Sequence, residues 1–327
     1  MKTLKYLFTI LTAIQIRSYA EMPDYYTRVD RIVWVVSDLP GVMSDWRSLG
    51  FSNMNDHGRS SITGPQNDQI EVHIASANLG GAAVTWIQPI DKNNAFSDFL
   101  EANGDGAFAL LHRVPSVMEM ENEIKRLGSL NVKPLLRGNV PTDEGPVNFV
   151  FMDTGIKGKY VLGLITGPND LQGSTGTNQL GMKFSQYAFA ISDPRPVSDF
   201  WAGIGFPEFE ITHGETWGKE YYGKPTDFDM KLGWQRHGDI VYEWCIPLKG
   251  PTVYADHIKS HGEGIQHLGF TVDDMDEAIS YFKNKGYKIS MSGGWGDKGQ
   301  PGSGRFAYVD TEKAGGETIE LLWSYNN

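Results

Sequence analysis

Short apolar stretches and amphipathic ones succeed each other in a fixed order along the chain. In its second half, Phe184–Ile191 is an apolar run rich in aromatic residues, the signature of a buried strand. Val197 to Gly203 then carries helical spacing and stops before Gly205-Phe206. Further strands follow, ending with Ile240–Ile246, and a new cycle opens with Gln266–Val272. Met275 to Lys285 predicts an amphipathic helix. Ile279 and Phe282 form its apolar face, Asp276 and Glu277 lie in the first turn, Lys283 and Lys285 in the last. Gly286 stands where a C-terminal glycine cap belongs. Strands around Lys288–Met291, Gly304–Val309 and Thr318–Trp323 complete the cycle. The unit is strand, helix, three strands, and the pattern predicts four of them.

The chain also repeats itself. Val29–Asp38 aligns with Phe184–Asp193 at a spacing of 155, which places Trp46 on Trp201, Gly50 on Gly205 and Phe51 on Phe206. Val84–Pro89 falls on Tyr242–Pro247 at 158, as does Gly104–Gly106 on Gly262–Gly264, and Phe149–Thr154 meets Phe306–Thr311 at 157. A spacing that drifts by so little marks a tandem duplication. The halves are 24–166 and 182–327, joined by a Gly-, Asn- and Thr-rich linker, 167–181.

The first twenty residues differ from the rest. Lys2 and Lys5 precede the apolar run Tyr6–Ile14, and small residues follow at Ser18 and Ala20. This is the layout of a cleaved secretory signal, 1–20, too short to span a bilayer. An exported protein, soluble once the signal is removed, is the expectation.

Composition narrows the classes. Apolar residues make up 40 % of the 327 and charged ones 21 %, a globular balance that excludes disorder. The formal charge is 29 − 40 = −11, which argues against a nucleic-acid partner. With one cysteine, Cys245, neither an intramolecular disulfide nor a thiolate cluster can form.

Paired strand–helix–three-strand modules resemble the vicinal oxygen chelate superfamily, which includes glyoxalase I and methylmalonyl-CoA epimerase. Residues 263–287, EGIQHLGFTVDDMDEAISYFKNKGY, look like that family's opening strand and helix, and Thr318–Leu322 like its closing strand. The resemblance implies an α+β fold of two tandem domains, each a pair of βαβββ modules curled into a cup. It implies a divalent ion (Zn, Ni, Co, Mn or Fe) held in the second half by Gln186, Glu243, His267 and Glu320. At the equivalent places the first half has Arg31, Thr85, Ala109 and Gly163, none a usual ligand, so 24–166 is expected to be a degenerate domain without metal.

By resemblance to glyoxalase I, Glu320 is the principal base and Glu243 a ligand and second base. The implied activity is proton transfer on a small substrate with vicinal oxygens, as an isomerase or lyase, by a monomer or homodimer. Extradiol dioxygenases share the two-domain layout and are the alternative, although Gln186 replaces their first histidine. A non-catalytic binding protein of the same fold is a further one. Export argues against glutathione or coenzyme A conjugates as substrates. Cys245 shares a face with Glu243 and reads best as a small buried hydrophobe. His213, His237, His257 and His261 read as turn or helix-surface residues. The glycine-rich stretch Gly293–Gly304 lacks phosphate-loop spacing and reads as a mobile rim, with Trp295, Lys298 and Arg305 in reach of a substrate.

Overall fold

The computed structural model describes residues 22–64, 66–168 and 180–325. The expected signal, 1–20, and most of the expected linker lie outside the described residues. In the first half the chain forms β1 (Arg31–Val35), α1 (Leu39–Ser48), β2 (Met54–Thr63), β3 (Gln69–Leu79) and β4 (Ala82–Pro89). Then come α2 (Ala95–Asn103), β5 (Gly106–Arg113), α3 (Val117–Ser129), β6 (Pro134–Thr142), β7 (Gly145–Met152), the single turn α4 (Gly155–Gly158) and β8 (Val161–Thr166). The second half forms β9 (Lys183–Ala190), α5 (Pro194–Gly203), β10 (Glu210–Thr212), β11 (Thr216–Tyr221), β12 (Lys224–Pro225), β13 (Asp229–His237) and β14 (Ile240–Lys249). It closes with α6 (Val253–His261), β15 (Gly264–Thr271), α7 (Met275–Asn284), β16 (Ile289–Trp295), β17 (Gly304–Val309) and β18 (Thr318–Ser324). The fold is α+β, with two tandem curled sheets.

Local signals set the helices in register with the repeat. Asp38 and Asp193, equivalent residues, cap α1 and α5 through backbone amides of Gly41 and Arg195, each with a proline in the first turn. The helix expected at Met275–Lys285 ends one residue earlier, with Lys285 as cap and Gly286 at φ +87°.

The two sheets close differently. In the first half the strand order is β1-β4-β3-β2-β6-β7-β8-β5, a closed barrel whose seam is the single pair Thr63 with Asn139. Its interior is filled by Val33, Ile74, Ile87, Leu111, Phe149 and Phe151. In the second half the seam is unzipped. The segment carrying β11 and β12 is an excursion between β10 and β13 that was not read from the sequence. It crosses to the last module, where Thr216 pairs with Trp295 and Tyr221 with Met291 on β16. The sheet therefore has two free ends, β10 and β12, and opens between them.

A second apolar layer lies between the halves and joins them. It contains Trp34, Trp46 and Trp86 of the first half and Phe189, Trp201 and Trp244 of the second. The indoles of Trp46 and Trp201, equivalent residues, each donate to a carbonyl of the opposite half: Ala314 at 2.8 Å and Gly158 at 3.0 Å. Buried indole N–H groups need partners, so these bonds orient the docking. Thr154 and Thr311, another equivalent pair, make the same internal bonds: each hydroxyl donates to a carbonyl six residues on and accepts the amide eight residues on.

Candidate metal centre and active site

Four central strands of the second sheet bring one residue each to the floor of the open cup. Gln186 comes from β9, Glu243 from β14, His267 from β15 and Glu320 from β18. All four are buried, the most exposed being Gln186 at 7 %. The Gln186 Nε2 donates to Glu243 Oε2 at 2.7 Å and to Glu320 Oε2 at 3.1 Å. His267 Nε2 lies 3.4 Å from the same Glu243 oxygen and 3.2 Å from the same Glu320 oxygen. Four residues spread over 135 positions of sequence thus converge on two carboxylate oxygens.

The electrostatics follow from burial. Removing Glu243 from water raises its pKa, and the neighbouring Glu320 raises it further. Burial alone would lower the His267 pKa, but the carboxylates of Glu320 and Glu243 outweigh it and push the imidazole up to about 9. Two carboxylates this close in a desolvated site need positive charge between them. The donor set fits a divalent cation: two carboxylates, one imidazole and one amide, the last able to ligate through Oε1. His267 Nδ1 donates to Gln266 Oε1 at 2.6 Å, which holds Nε2 toward the cup, as an outer partner of a ligating histidine does.

Several participants were not legible beforehand. Cys245, expected to be only a small hydrophobe, is fully buried, but its Sγ lies with ligand atoms of Glu243 and His267 in a group all within 4.8 Å of one another. The hydroxyls of Tyr254 and Tyr308 meet at 2.6 Å beside the site, and Tyr308 sets its ring edge-on to His267 at 5.0 Å. Gly269 faces Glu320 across β15 and β18, and a Cβ there would come within 2.6 Å of the Gln186 side chain. Only glycine leaves room for the amide.

The first half shows the reciprocal choice. Leu111 stands at the place of Gly269 and Gly163 at that of Glu320, again paired across neighbouring strands. A Cβ on Gly163 would meet Leu111 at 2.8 Å. Arg31, at the place of Gln186, is buried with Nη1 3.4 Å from Thr85 Oγ1, the residue at the place of Glu243. Its Nε bonds Asp30 at 2.7 Å. A guanidinium and a packed leucine occupy the space that the second half devotes to four polar donors.

The cup holds a cavity of about 990 Å³ that reaches from Gln186, Glu243 and Glu320 to the open seam. Trp217, Trp234, Trp295 and Phe306 wall it, and Arg236 and Lys298 stand at its mouth. Trp295 and Lys298 therefore lie where a substrate rim was expected. Arg305 does not: its guanidinium turns away to Asp276 at 2.8 Å, in a neighbouring groove. The glycine-rich stretch is only partly a loop, because Gly293–Trp295 continues β16. Gly294 lies under the Trp217 indole, with 2.2 Å between a Cβ there and the ring, and Gly293 lies against the Phe306 ring, at 2.8 Å from such a Cβ. Among the histidines, His213 is exposed beside Asp229, whereas His237 and His257 are buried against expectation. The Nδ1 of His237 reaches the Tyr26 carbonyl of the first half, a contact invisible to local sequence.

Residues 185–308 match the family described as Glyoxalase/Bleomycin resistance protein/Dioxygenase superfamily, so the resemblance to the vicinal oxygen chelate superfamily holds for the second half. No curated protein matches the chain. Among solved structures, a triple mutant of 4-hydroxymandelate synthase from Streptomyces coelicolor is similar with a TM-score of 0.61 at 15 % identity, covering 90 % of this chain and 92 % of that one. A xylose isomerase-like TIM barrel/4-hydroxyphenylpyruvate dioxygenase fusion protein gives 0.53 at 15 % identity, covering 91 % of this chain and 49 % of the other. These likenesses extend the fold to both halves.

Proposed function

With a superfamily domain in the second half as the premise, we propose that the protein is an exported, divalent-metal-dependent enzyme. It moves a proton on a small substrate bearing adjacent oxygens, as an isomerase or lyase. One observation carries the reading: two buried carboxylates face each other across Gln186 and His267 at the floor of a large cavity, while the filled half has no carboxylate at either place.

Gln186, Glu243, His267 and Glu320 would hold the cation. When bound, it would supply Lewis-acid stabilisation of negative charge on the substrate's two oxygens. The chain supplies the rest. Glu320, on the central strand β18, would be the principal base that takes a proton from the carbon beside those oxygens, and Glu243 a second base. Gln266 keeps His267 oriented. The aromatic walls shed water from the substrate, and the low dielectric strengthens each charge interaction on the floor.

Purified protein is expected to carry about one divalent ion per chain. Glu320→Gln should cut solvent-deuterium exchange into hydroxy- and oxo-carbonyl substrates by about 100-fold or more, with the melting temperature little changed. Full activity after complete metal removal would refute the proposal.

The likeness in fold to the 4-hydroxyphenylpyruvate dioxygenase fusion protein, over 91 % of this chain, favours one second reading, an iron-dependent dioxygenase. Against it, Gln186 leaves one imidazole where the usual iron triad has two. Oxygen uptake with ferrous iron and a catechol would replace the first reading with this one.

A further inference from the structure

A second polar site lies outside the cup, where α2 and β5 of the first half meet α6 and β15 of the second. The contact is built on an approximate twofold axis. Asn103 and His261, equivalent residues 158 apart, grip each other: the Asn103 amide donates to the His261 carbonyl and His261 Nδ1 to the Asn103 carbonyl, both at 2.7 Å. A cavity of about 390 Å³ opens here, and equivalent positions line it in pairs. In the first half those positions hold Phe99 and Tyr160. In the second half the same positions hold His257, 158 residues on, and Glu317, 157 residues on.

One copy therefore has two aromatic rings where the other has an imidazole and a carboxyl group. Glu317 is 1 % exposed; its Oε1 accepts from the Ala107 amide at 2.7 Å, and its Oε2 is buried with no partner among the described residues. Burial holds its carboxyl up at about 8. His257 stacks on His261 at 5.0 Å and takes no side-chain hydrogen bond or ion pair among the described residues. Burial keeps it neutral, down at about 3. A buried carboxyl oxygen left without a partner is costly to the fold. The unpartnered Glu317 oxygen and the His257 imidazole line this one cavity, in one copy alone, and together they point to a ligand.

We propose that this inter-domain cavity binds a small organic ammonium ion, with the cation on Glu317, a hydrogen bond to His257 and the apolar body against Phe99 and Phe108. Ionised, the Glu317 carboxylate offers Oε2 as an acceptor with no protein donor, and the neutral His257 imidazole offers one acceptor nitrogen; a bound cation itself favours the ionised carboxylate, so a cationic donor satisfies both. Two protein donors are too few for a closed transition-metal site, which takes four, and the remaining walls are largely apolar. Aromatic faces add attraction for a cation. The charge surroundings agree, since Asp105 and Glu263 also line the cavity and its one lysine, Lys159, is already paired with Glu263 at 2.7 Å. The proposal stands independently of the activity assigned to the cup.

The test is fluorine NMR titration of the full chain with 4-fluorobenzylamine, using 4-fluorobenzyl alcohol as neutral control. The expected result is saturable binding of the amine and at least about tenfold weaker binding of the alcohol, a difference of about 1.4 kcal/mol. Glu317→Gln keeps the Ala107 contact and should lose at least about tenfold in amine affinity, as should His257→Phe, which installs the first-half residue. Glu320→Gln should bind the amine as the unaltered protein does, which separates this cavity from the cup. Amine binding that is absent, equal to that of the alcohol, or unchanged in both cavity variants would overturn the proposal. So would a zinc ion lost specifically with Glu317, or a crystal structure at saturating amine showing only water there.

Discussion

At the residue scale, the exchange between Gly269 with Glu320 and Leu111 with Gly163 distinguishes the polar floor of the open cup from the packed floor of the barrel. The family resemblance pointed to Gln186, Glu243, His267 and Glu320, and the repeat set them against Arg31, Thr85, Ala109 and Gly163. Neither exposed Gly269, since a glycine on a strand carries no chemical signal until the side chain filling its space is known. Gly269→Ala should press on Gln186 and lower metal affinity by about tenfold, measured by competition with a chromophoric chelator. The buried Glu317 gives a separate pH signature. Its folded pKa, about 8, lies above the ordinary carboxylate value of 4.5, so the folded state holds a proton that the unfolded state releases. Its contribution is complete below about pH 4.5 and is lost as pH rises toward 8. Glu317→Gln should flatten the fall in melting temperature across that window; an unchanged slope would show that the carboxyl ionises freely.

At the element scale, apolar periodicity located most strands and the helices around the site, and capping residues set helix ends within a residue or so. What it missed was the path of β11. Thr216–Tyr221 has strand character, but its partner β16 lies some seventy residues on, and only tertiary pairing decides between β10 and β16. The same crossing explains why Gly293 and Gly294 are not a hinge: Gly293 makes room for the Phe306 ring and Gly294 for the Trp217 indole, which donates to the Gly296 carbonyl at 2.9 Å. Gly294→Ala should displace that indole. Acrylamide quenching of tryptophan fluorescence should rise, while the far-ultraviolet circular dichroism stays as it was.

At the scale of the whole molecule, the halves share one apolar layer, and the indoles of Trp34, Trp46 and Trp201 each donate to a carbonyl of the opposite half. The first half is thus a structural partner of the second. Residues 182–327 produced alone should expose Trp201 and Trp244 and fail to give a cooperative melt. The intact chain should unfold in one transition. Two separate calorimetric peaks would contradict this. The duplication was plain in the sequence, but the docking was not, because Tyr26, His112 and His237 meet only after both sheets have formed. Burial lowers the pKa of His112 to about 3 and that of His237 to about 4. Each is neutral when folded and protonates more readily when unfolded, so their stabilisation is full above about pH 6.5 and fades as pH falls. Replacing both by glutamine should lessen the loss of stability between pH 6.5 and 4.

The paired exchange at the cup floor also constrains the history of the two copies. Glutamate opposite leucine would be overfilled, and glycine opposite glycine would leave a hole. Passage between a silent floor and a competent one therefore crosses a valley that neither single substitution avoids. Each floor is thus tied to its own pairing of side chains, and exchange of one for the other requires two coordinated changes, whichever direction it takes.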